Sequence, residues 1–559
     1  MLIRVVLLLA TTTAAHASAP APDEALRGYV LGRYAIAQDS PTAASRYFST
    51  ALGADPAQPA VARRAFVAAV AAGDKARAIA LARKLTADGV ADSDVALVML
   101  ADAVNRRDWP AAAKARTGIA SAGYASVIEP IVSSWSLFAR GNADDALARL
   151  DPATFSGFAR GYIAEQRAHM LAANGQYPAA VAAYAELRSG GTSGPALLRL
   201  GEADALAAAG DTAAALALLV GDEPTLVAAR QRLAEGRRPG LRAPDAAHGL
   251  AWAMARLATD LSREQPVDLA IVFARVATFL APDIAEAWLV LADVLAGGDH
   301  HDAALGALAM VRPGDPLFTA AQARKAEALE AQGRRADAGA LLQAAAQAQA
   351  ATRDDWTRLG DWHRRADRHG AAIAAYDRAI GFAGGDDRWG LYFLRGSMKE
   401  RSNDWPGAEA DLRAALARSP DEAIVLNYLG YSLLDRGLGG GEATALIARA
   451  AKLRPADGGI IDSLGWSAFK EGRFADAVTN LEKAAALEPA DPTIADHLGD
   501  AYWQAGRRIE ARFRWRAALG LDPDPALAAV LTRKLEIGRD AALASQYGDG
   551  QRLTVTTRV

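Results

Sequence analysis

A pattern with a period of 34 residues constrains this chain more than any other feature of its sequence. Leu464-Gly465 recurs as Leu498-Gly499, and Gly472 recurs as Gly506, each 34 residues later. A fixed period of this length is the signature of stacked supersecondary units. The chain is therefore predicted to form an extended array of repeats, in which each unit contacts mainly its neighbours.

Each unit is predicted to be a pair of helices, as residues 460 to 489, "IIDSLGWSAFKEGRFADAVTNLEKAAALEP", illustrate. In the first half, apolar or small residues at i, i+3, i+4 and i+7 form one helix face: Ile461, Leu464, Gly465 and Ala468. Gly472 is suited to end that helix, and Pro489 to stop the second one. One pair cannot bury its apolar faces alone, so neighbouring pairs must stack into a solenoid with a concave groove.

The pattern resembles the tetratricopeptide repeat, which has a small residue at each close helix crossing and a proline near the end of the repeat. The resemblance implies an all-α fold, a tetratricopeptide-repeat α-solenoid of stacked helix pairs. In the same frame, eight repeats cover residues 251–523. They are predicted to begin near Ala251, Ala285, Thr319, Arg353, Trp389, Ala423, Gly458 and Pro492.

The rest of the chain is divided around these eight repeats. Residues 20–234 carry weaker copies, predicted as five or six degenerate repeats, and residues 235–250 are predicted as a linker or irregular turn. This division is compatible with two separate arms of repeats or with one repeat array that has a hinge. Residues 524–543 are predicted as a capping helix over the last repeat, and 544–559 as a tail, with strand-like composition or disorder as the alternatives.

The first residues are typical of a secretory signal peptide. In residues 1–19, Arg4 precedes an apolar stretch that fades into small residues, with A-x-A cleavage sites ending at Ala17 and Ala19. The alternative is an uncleaved anchor, but the apolar part is far shorter than the ~20 residues of a spanning helix. We therefore expect an exported, periplasmic protein without a transmembrane segment in the mature chain.

Composition and motifs exclude several classes of function. The chain has no cysteine, which excludes disulfides, thiolate metal sites and lipid attachment to an N-terminal cysteine, and its formal net charge is only −3. His300-His301 lie in a predicted turn, where adjacent histidines are usually solvated, and the six-residue spacing of His363 and His369 puts their side chains on different helix faces. No nucleophile with its base is recognised. The basic run 507–520 is expected to be a solvated helix face. We predict no enzyme, cofactor, metal or nucleic-acid partner.

Candidate binding residues lie on the opposite face of the first helices, which stacking would align into one strip. They are Asn427, Tyr431, Asp462, Trp466, Phe469, Asp496, Asp500 and Trp503. In the tetratricopeptide family these positions line the groove that holds peptides or partner domains. Acids beside aromatics suit a partner with basic or amide groups and apolar anchors. The alternative is that Trp466 and Trp503 only pack between helices. The strip itself contains no lysine or arginine.

The three segments "NYLGYSLLDRG", "DGGIIDSLGWSAFKEGRFADAV" and "DPTIADHLGDAYWQAGRRIEARFRWRAAL" give a closer resemblance. Residues 423–523 look like the C-terminal part of a group of proteobacterial envelope tetratricopeptide proteins. One branch of that group is a lipoprotein adaptor of a periplasmic carboxyl-terminal processing protease. The resemblance implies a protein-binding scaffold and, more sharply, a protease adaptor. This chain departs from that branch because it lacks the lipidated cysteine.

Two other functions stay open at the level of sequence. The chain could be an assembly component for cell-envelope or exopolysaccharide export, with repeats that dock other machinery and no protease. An unrecognised hydrolase in the degenerate half is the remaining alternative. Nothing in the pattern specifies an oligomeric state.

Overall fold

The computed structural model describes residues 22–119, 123–189, 195–221, 223–240, 244–263, 267–348, 351–382 and 388–547. The predicted signal peptide, residues 1–19, lies outside them, as does the tail after Tyr547. Within these ranges the chain is all-α and carries no strand. The helices are α1 (Pro22–Ala37), α2 (Pro41–Ala54), α3 (Pro59–Ala72), α4 (Lys75–Ala87), α5 (Ser93–Asn105), α6 (Trp109–Ile119), α7 (Ala125–Ala139), α8 (Ala143–Arg149), α9 (Gly157–Ala173), α10 (Tyr177–Ser189), α11 (Pro195–Ala208), α12 (Thr212–Leu218), α13 (Pro224–Ala234), α14 (Ala246–Leu261), α15 (Val267–Leu280), α16 (Ala285–Gly297), α17 (His301–Leu308), α18 (Phe318–Ala331), α19 (Arg335–Gln347), α20 (Arg353–Arg365), α21 (His369–Gly381), α22 (Trp389–Arg401), α23 (Trp405–Arg418), α24 (Ala423–Asp435), α25 (Gly441–Leu453), α26 (Gly458–Lys470), α27 (Phe474–Leu487), α28 (Pro492–Gln504), α29 (Arg508–Leu519), α30 (Pro525–Ile537) and α31 (Arg539–Tyr547).

The chain divides into two compact units, Met1–Asp355 and Trp356–Val559. The predicted division at residues 235–250 lies within the first of these units. Those residues do interrupt the helices, but α14 already begins at Ala246 rather than near Ala251. The unit boundary lies three repeats later because α14 and α15 pack back against the preceding run of helices.

In the first unit, the pair α14–α15 contacts α3, α5, α7 and α9. The carbonyl oxygen of Phe279, at the end of α15, accepts hydrogen bonds from Lys75 Nζ at 2.6 Å and from Asn105 Nδ2 at 2.8 Å. Gly249 lies so close to the ring of Trp135 that a Cβ atom would overlap it. These long-range contacts join the degenerate repeats and the first regular repeats into one unit.

In the second unit, successive helices form antiparallel pairs that follow the predicted period. The first helices of four pairs begin at Trp389, Ala423, Gly458 and Pro492, as the repeat frame predicted. Small residues let the paired helices approach, since a Cβ on Gly465 would come within 2.6 Å of Leu481. The first helices α24, α26 and α28 also contact one another directly across pairs, so they line the inner side of the stack.

The C-terminal end of this unit differs from the single capping helix predicted for residues 524–543. Two helices, α30 and α31, are separated by Gly538, whose φ of 83° is a left-handed conformation that glycine adopts without strain. A Cβ atom at this position would also come within 2.6 Å of the Trp503 ring. The chain therefore turns at Gly538, and α31 lies against α28. Of the helices described, none combines the length and apolarity that would let it cross a membrane.

Candidate protein-binding groove

A surface groove of about 440 Å³ lies on the inner side of the second unit, along α24, α26 and the end of α22. Its apolar lining includes Ile424, Ile460 and Ile494, with the rings of Tyr428 and Tyr431 beside them. Its charged lining is mostly acidic, with six carboxylates against two guanidinium groups: Glu400, Asp435, Asp457, Asp462, Glu488 and Asp491 against Arg401 and Arg436. A groove of this composition can hold a segment that combines apolar side chains with hydrogen-bond donors.

Three of the predicted strip residues line this groove: Asn427, Tyr431 and Asp462. Asn427 is the most informative because its side chain is only 8% exposed and its Oδ1 atom has no hydrogen-bond partner. A buried acceptor without a donor costs about 1–3 kcal/mol. A ligand that brings a donor to Asn427 would recover that free energy on binding.

The neighbouring repeats show how the same position is normally satisfied. Asp462 of α26 and Asp496 of α28 occupy the position of Asn427 in the next two first helices. Asp462 receives a donor from α28, and Asp496 receives one from α30. His497 Nδ1 lies 2.9 Å from Asp462, and Lys534 Nζ lies 2.7 Å from Asp496.

Asn427 lacks such a donor because α26 carries Ser463 at the position that His497 occupies in α28, one repeat later. The serine side chain is short, and its hydroxyl donates to Gly459 O at 3.1 Å instead. The open acceptor on Asn427 therefore results from a specific change of residue between repeats.

The last part of the predicted strip is covered by the chain's own C-terminal helices. Lys534 on α30 bridges Asp496 and Asp500, with N to O distances of 2.7 and 2.8 Å. Arg539 on α31 binds the other oxygen of Asp500 at 2.9 Å. The strip positions on the first helices include no lysine or arginine. The cations that bind these acids are Lys534 and Arg539, which lie on helices after the repeats. Trp503 is held at the same end, since its indole N–H donates to Asp540 at 2.9 Å.

Burial and charge act in opposite directions on the cations of this cluster. Burial opposes the charge on Lys534, but Asp496 and Asp500 outweigh it and raise the pKa of the ammonium above its usual value. Burial likewise opposes the charge on His497, yet Asp462, with Asp496 and Asp500, raises the pKa of the imidazole. Burial raises the pKa of Asp496, against the opposing effect of Lys534. The end of the strip is thus a closed ionic cluster.

The aromatic residues of the strip make packing contacts within the unit. Trp466 lies between two rings, with centroid distances of 4.6 Å to Phe469 and 4.0 Å to His497. Phe469 is buried, and the guanidinium of Arg539 lies 4.8 Å from its ring centre. The ring of Trp503 is covered by Arg508 at 3.8 Å. These are the contacts of the packing interpretation, and a binding role for the tryptophans stays a prediction.

Sequence reasoning missed Tyr428 and Glu488, which also line the groove. Glu488 carried a signal that a comparison of repeats could have found. It stands 34 residues after Arg454, so the charge at this repeat position reverses between one repeat and the next. Tyr428 follows Asn427 directly and carries no comparable signal.

The histidines that sequence analysis considered lie elsewhere. His300 hydrogen-bonds to Asp39, and His369 lies 3.8 Å from Asp367, both at helix ends. Burial lowers the pKa of His363. Across the ranges that the structure describes, no group of three or more histidine and acidic side chains is placed to hold a metal ion.

Comparison with known proteins identifies repeats in the unit that carries the groove. Tetratricopeptide-repeat models match residues 393–458 and 468–534. The TPR repeat-containing protein PA4667 of Pseudomonas aeruginosa is 47% identical over 87 residues, which are 16% of this chain and 15% of that protein. The chain thus matches less than two thirds of this relative.

Two solved structures are also similar to the chain. PilF of Pseudomonas aeruginosa has 20% identity and a TM-score of 0.30, covering 36% of this chain and 93% of PilF. The Cut9–Hcn1 hetero-tetramer of the APC/C has 14% identity and a TM-score of 0.36, covering 92% of this chain and 96% of the matched chain. The helix pairs and the matched repeats establish a tetratricopeptide-repeat solenoid.

Proposed function

We propose that this chain is a non-enzymatic scaffold that holds a protein partner in the groove of its second unit. The repeat fold is generally an interaction scaffold, and no enzymatic family is indicated. The observation that carries the proposal is the open acceptor of Asn427, which is buried, unpaired and flanked by the apolar lining of the groove. A peptide main chain offers the N–H donors that this atom lacks.

We place the scaffold in the periplasm. The support comes from the sequence: the charged, apolar and small-residue regions of residues 1–19 have the order of a signal peptide. The absence of cysteine is compatible with an oxidising compartment. The test is to compare the mass of the chain in periplasmic and cytoplasmic fractions, with cleavage after Ala17 or Ala19 expected.

The partner that we favour is a periplasmic carboxyl-terminal processing protease, which the scaffold would bring to its substrates. This rests on the resemblance of residues 423–523 to the adaptor branch, whereas the 47% identity over 87 residues to PA4667 supports the repeats alone. Most of the groove lining lies within residues 423–523, and the ionic cluster joins acids of that stretch to Lys534 and Arg539, which follow it. A component of envelope or exopolysaccharide export is the competing role.

The test uses the purified mature chain and the processing protease of the same cell. Binding is measured by calorimetry, and cleavage of a folded cell-wall hydrolase is followed with and without the chain. The double variant Asn427→Ala, Tyr431→Ala removes groove contacts, and Lys483→Ala on the exposed side of α27 is the matched control.

We expect the groove variant to weaken binding at least tenfold, which corresponds to about 1.4 kcal/mol. The control should stay within twofold of the parent. If the parent neither binds the protease nor changes cleavage, the adaptor role is wrong. If the groove variant binds as the parent does, the groove is not the site.

A further inference from the structure

We propose that the segment held in this groove is basic, with lysine or arginine side chains directed at the carboxylates along its edges. The inference rests on the proposed function and adds the chemical class of the ligand. Three observations carry it: two unpaired carboxylates, a charge that reverses between repeats, and the contrast between the open acceptor of Asn427 and the acids that Lys534 and Arg539 bind at the end of the strip.

The first observation is that the acidic lining is only partly neutralised from within. Asp435 and Glu488 are exposed in the groove lining and form no ion pair with any residue of the described part of the unit. On the basic side, Arg436 is already paired with Glu400 at 2.8 Å. Arg401 alone faces the groove as an unpaired cation among residues 388–547. The groove therefore favours a cationic ligand.

The second observation is the reversed charge at Glu488. One repeat earlier, Arg454 reaches Glu422, the residue before α24, at 3.5 Å. At the same repeat position Glu488 lies against Gly458, directly after Asp457, which is the residue before α26. Where one repeat has an ion pair, the next has two neighbouring acids. A cation from outside the chain would restore the missing partner.

The third observation is the kind of side chain that binds the strip's acids within the chain itself. Asp496 and Asp500 are bound by a lysine and an arginine, Lys534 and Arg539, which come from helices outside the repeats. The equivalent acceptor at Asn427 has no donor at all. A bound segment could donate a main-chain N–H to Asn427 and place basic side chains beside the unpaired acids. These basic side chains would be of the same type as Lys534 and Arg539, which bind the acids at the closed end of the strip.

These observations favour a basic segment over an acidic or neutral one. An acidic segment would meet six carboxylates, two of which are paired within the chain, with Arg401 as its one unpaired counter-ion among the described lining residues. A neutral segment would satisfy Asn427 but leave Asp435 and Glu488 without partners. The bound segment is expected to place apolar side chains against Ile424 and Tyr431 between its basic residues.

The experiment is a selection of random 12-residue peptides on phage against the full mature chain. The leading peptide is then synthesised, together with a version in which every lysine and arginine is replaced by glutamine. Both are titrated by fluorescence anisotropy against the parent, Glu488→Arg, and the groove variant Asn427→Ala, Tyr431→Ala. Glu488→Arg installs the residue that the preceding repeat carries, so it keeps the repeat pattern intact. Glu536→Arg, an exposed acid of α30 outside the groove lining, is the control with the same change of charge.

We expect selected peptides to be rich in lysine and arginine. Glu488→Arg should weaken the leading peptide at least fivefold, Glu536→Arg less than twofold, and the glutamine version should lose its dependence on Glu488. Peptides that need Asn427 and Tyr431 but carry no excess of basic residues would overturn the inference and leave the proposed function standing. If no selected peptide depends on Asn427 and Tyr431, the proposed function fails, and the inference fails with it.

Discussion

Replacing Lys534 with methionine should loosen the C-terminal end of the repeat stack. Lys534 is only 3% exposed and is bound by Asp496 at 2.7 Å and by Asp500 at 2.8 Å. Removing one partner of a buried ion pair typically costs about 3–5 kcal/mol, because the remaining charge stays buried without compensation. Arg539 still neutralises Asp500, so the cost falls mainly on Asp496. We therefore expect the lower end of that range, about 3 kcal/mol.

Hydrogen exchange measures this cost locally, which matters because a chain with two compact units need not unfold in one step. At pH 7, amides in α30 of Lys534→Met should exchange about a hundredfold faster than in the parent, as expected for a change of about 3 kcal/mol. Lys452→Met, an exposed lysine of α25, is the matched control and should leave exchange unchanged.

Two further results distinguish an uncompensated charge from lost packing. Adding Asp496→Asn to Lys534→Met removes the buried carboxylate and should restore most of the protection in α30. Lowering the pH from 8 to 5 should also narrow the difference between Lys534→Met and the parent, because burial already raises the pKa of Asp496 and protonation removes its charge. Exchange in α30 that stays within threefold of the parent, or a double variant that exchanges faster still, would refute the electrostatic explanation.

Three further predictions concern single positions. His497 faces Asp462 on α26 and Asp496 and Asp500 on α28, which raise its pKa against burial, so its contribution to stability is complete below pH ~6.5 and declines as the pH rises through the folded-state pKa. The free energy of unfolding of His497→Gln, measured by urea titration, should therefore differ more from the parent at pH 6 than at pH 9. Gly249→Ala places a methyl group against the Trp135 ring and should destabilise the first unit by about 1–3 kcal/mol. Gly306→Ala has open space around it and should stabilise the unit by up to about 1 kcal/mol. Thermal melting that ranks the two variants in the opposite order would contradict the packing. Gly538→Ala must adopt a positive φ beside Trp503, so limited proteolysis should cut before α31 faster than in the parent, and equal rates would show that the turn tolerates a side chain.

The helix positions of the second unit were predictable because a repeat period fixes them. Gly465 and Leu481 must meet wherever such a pair forms, so the starts at Trp389, Ala423, Gly458 and Pro492 follow from counting. The boundary between units was not predictable in the same way. It depends on contacts such as Lys75 with Phe279, 204 residues apart, which the period does not encode.

The repeat positions of the strip residues were predictable, but which of these residues has an open side chain was not. Counting placed Asn427, Asp462 and Asp496 on one strip, and they do occupy equivalent positions in successive helices. Which of them is open depends on residues outside the strip. Lys534 lies 38 residues after Asp496 and beyond the last repeat, where the period no longer tells which side chain faces which. The repeats themselves place no lysine or arginine on the strip, as predicted. The sequence pattern did not predict that Lys534 and Arg539 would reach the strip from the helices after the repeats.

Asn427, Asp462 and Asp496 form a series of equivalent acceptors. Each depends for its donor on the helix that packs beside it from the following repeat or cap. Lys534 supplies the donor to Asp496, and His497 supplies the donor to Asp462. Ser463 breaks the series, so the acceptor without a donor is Asn427, one repeat away from Trp466 and two repeats away from Trp503. Binding free energy comes from groups that gain a partner on association, and Trp466 already has ring neighbours at 4.6 and 4.0 Å. A ligand should therefore centre on α24 and α26, with Asn427 inside its footprint and Trp503 beyond its end.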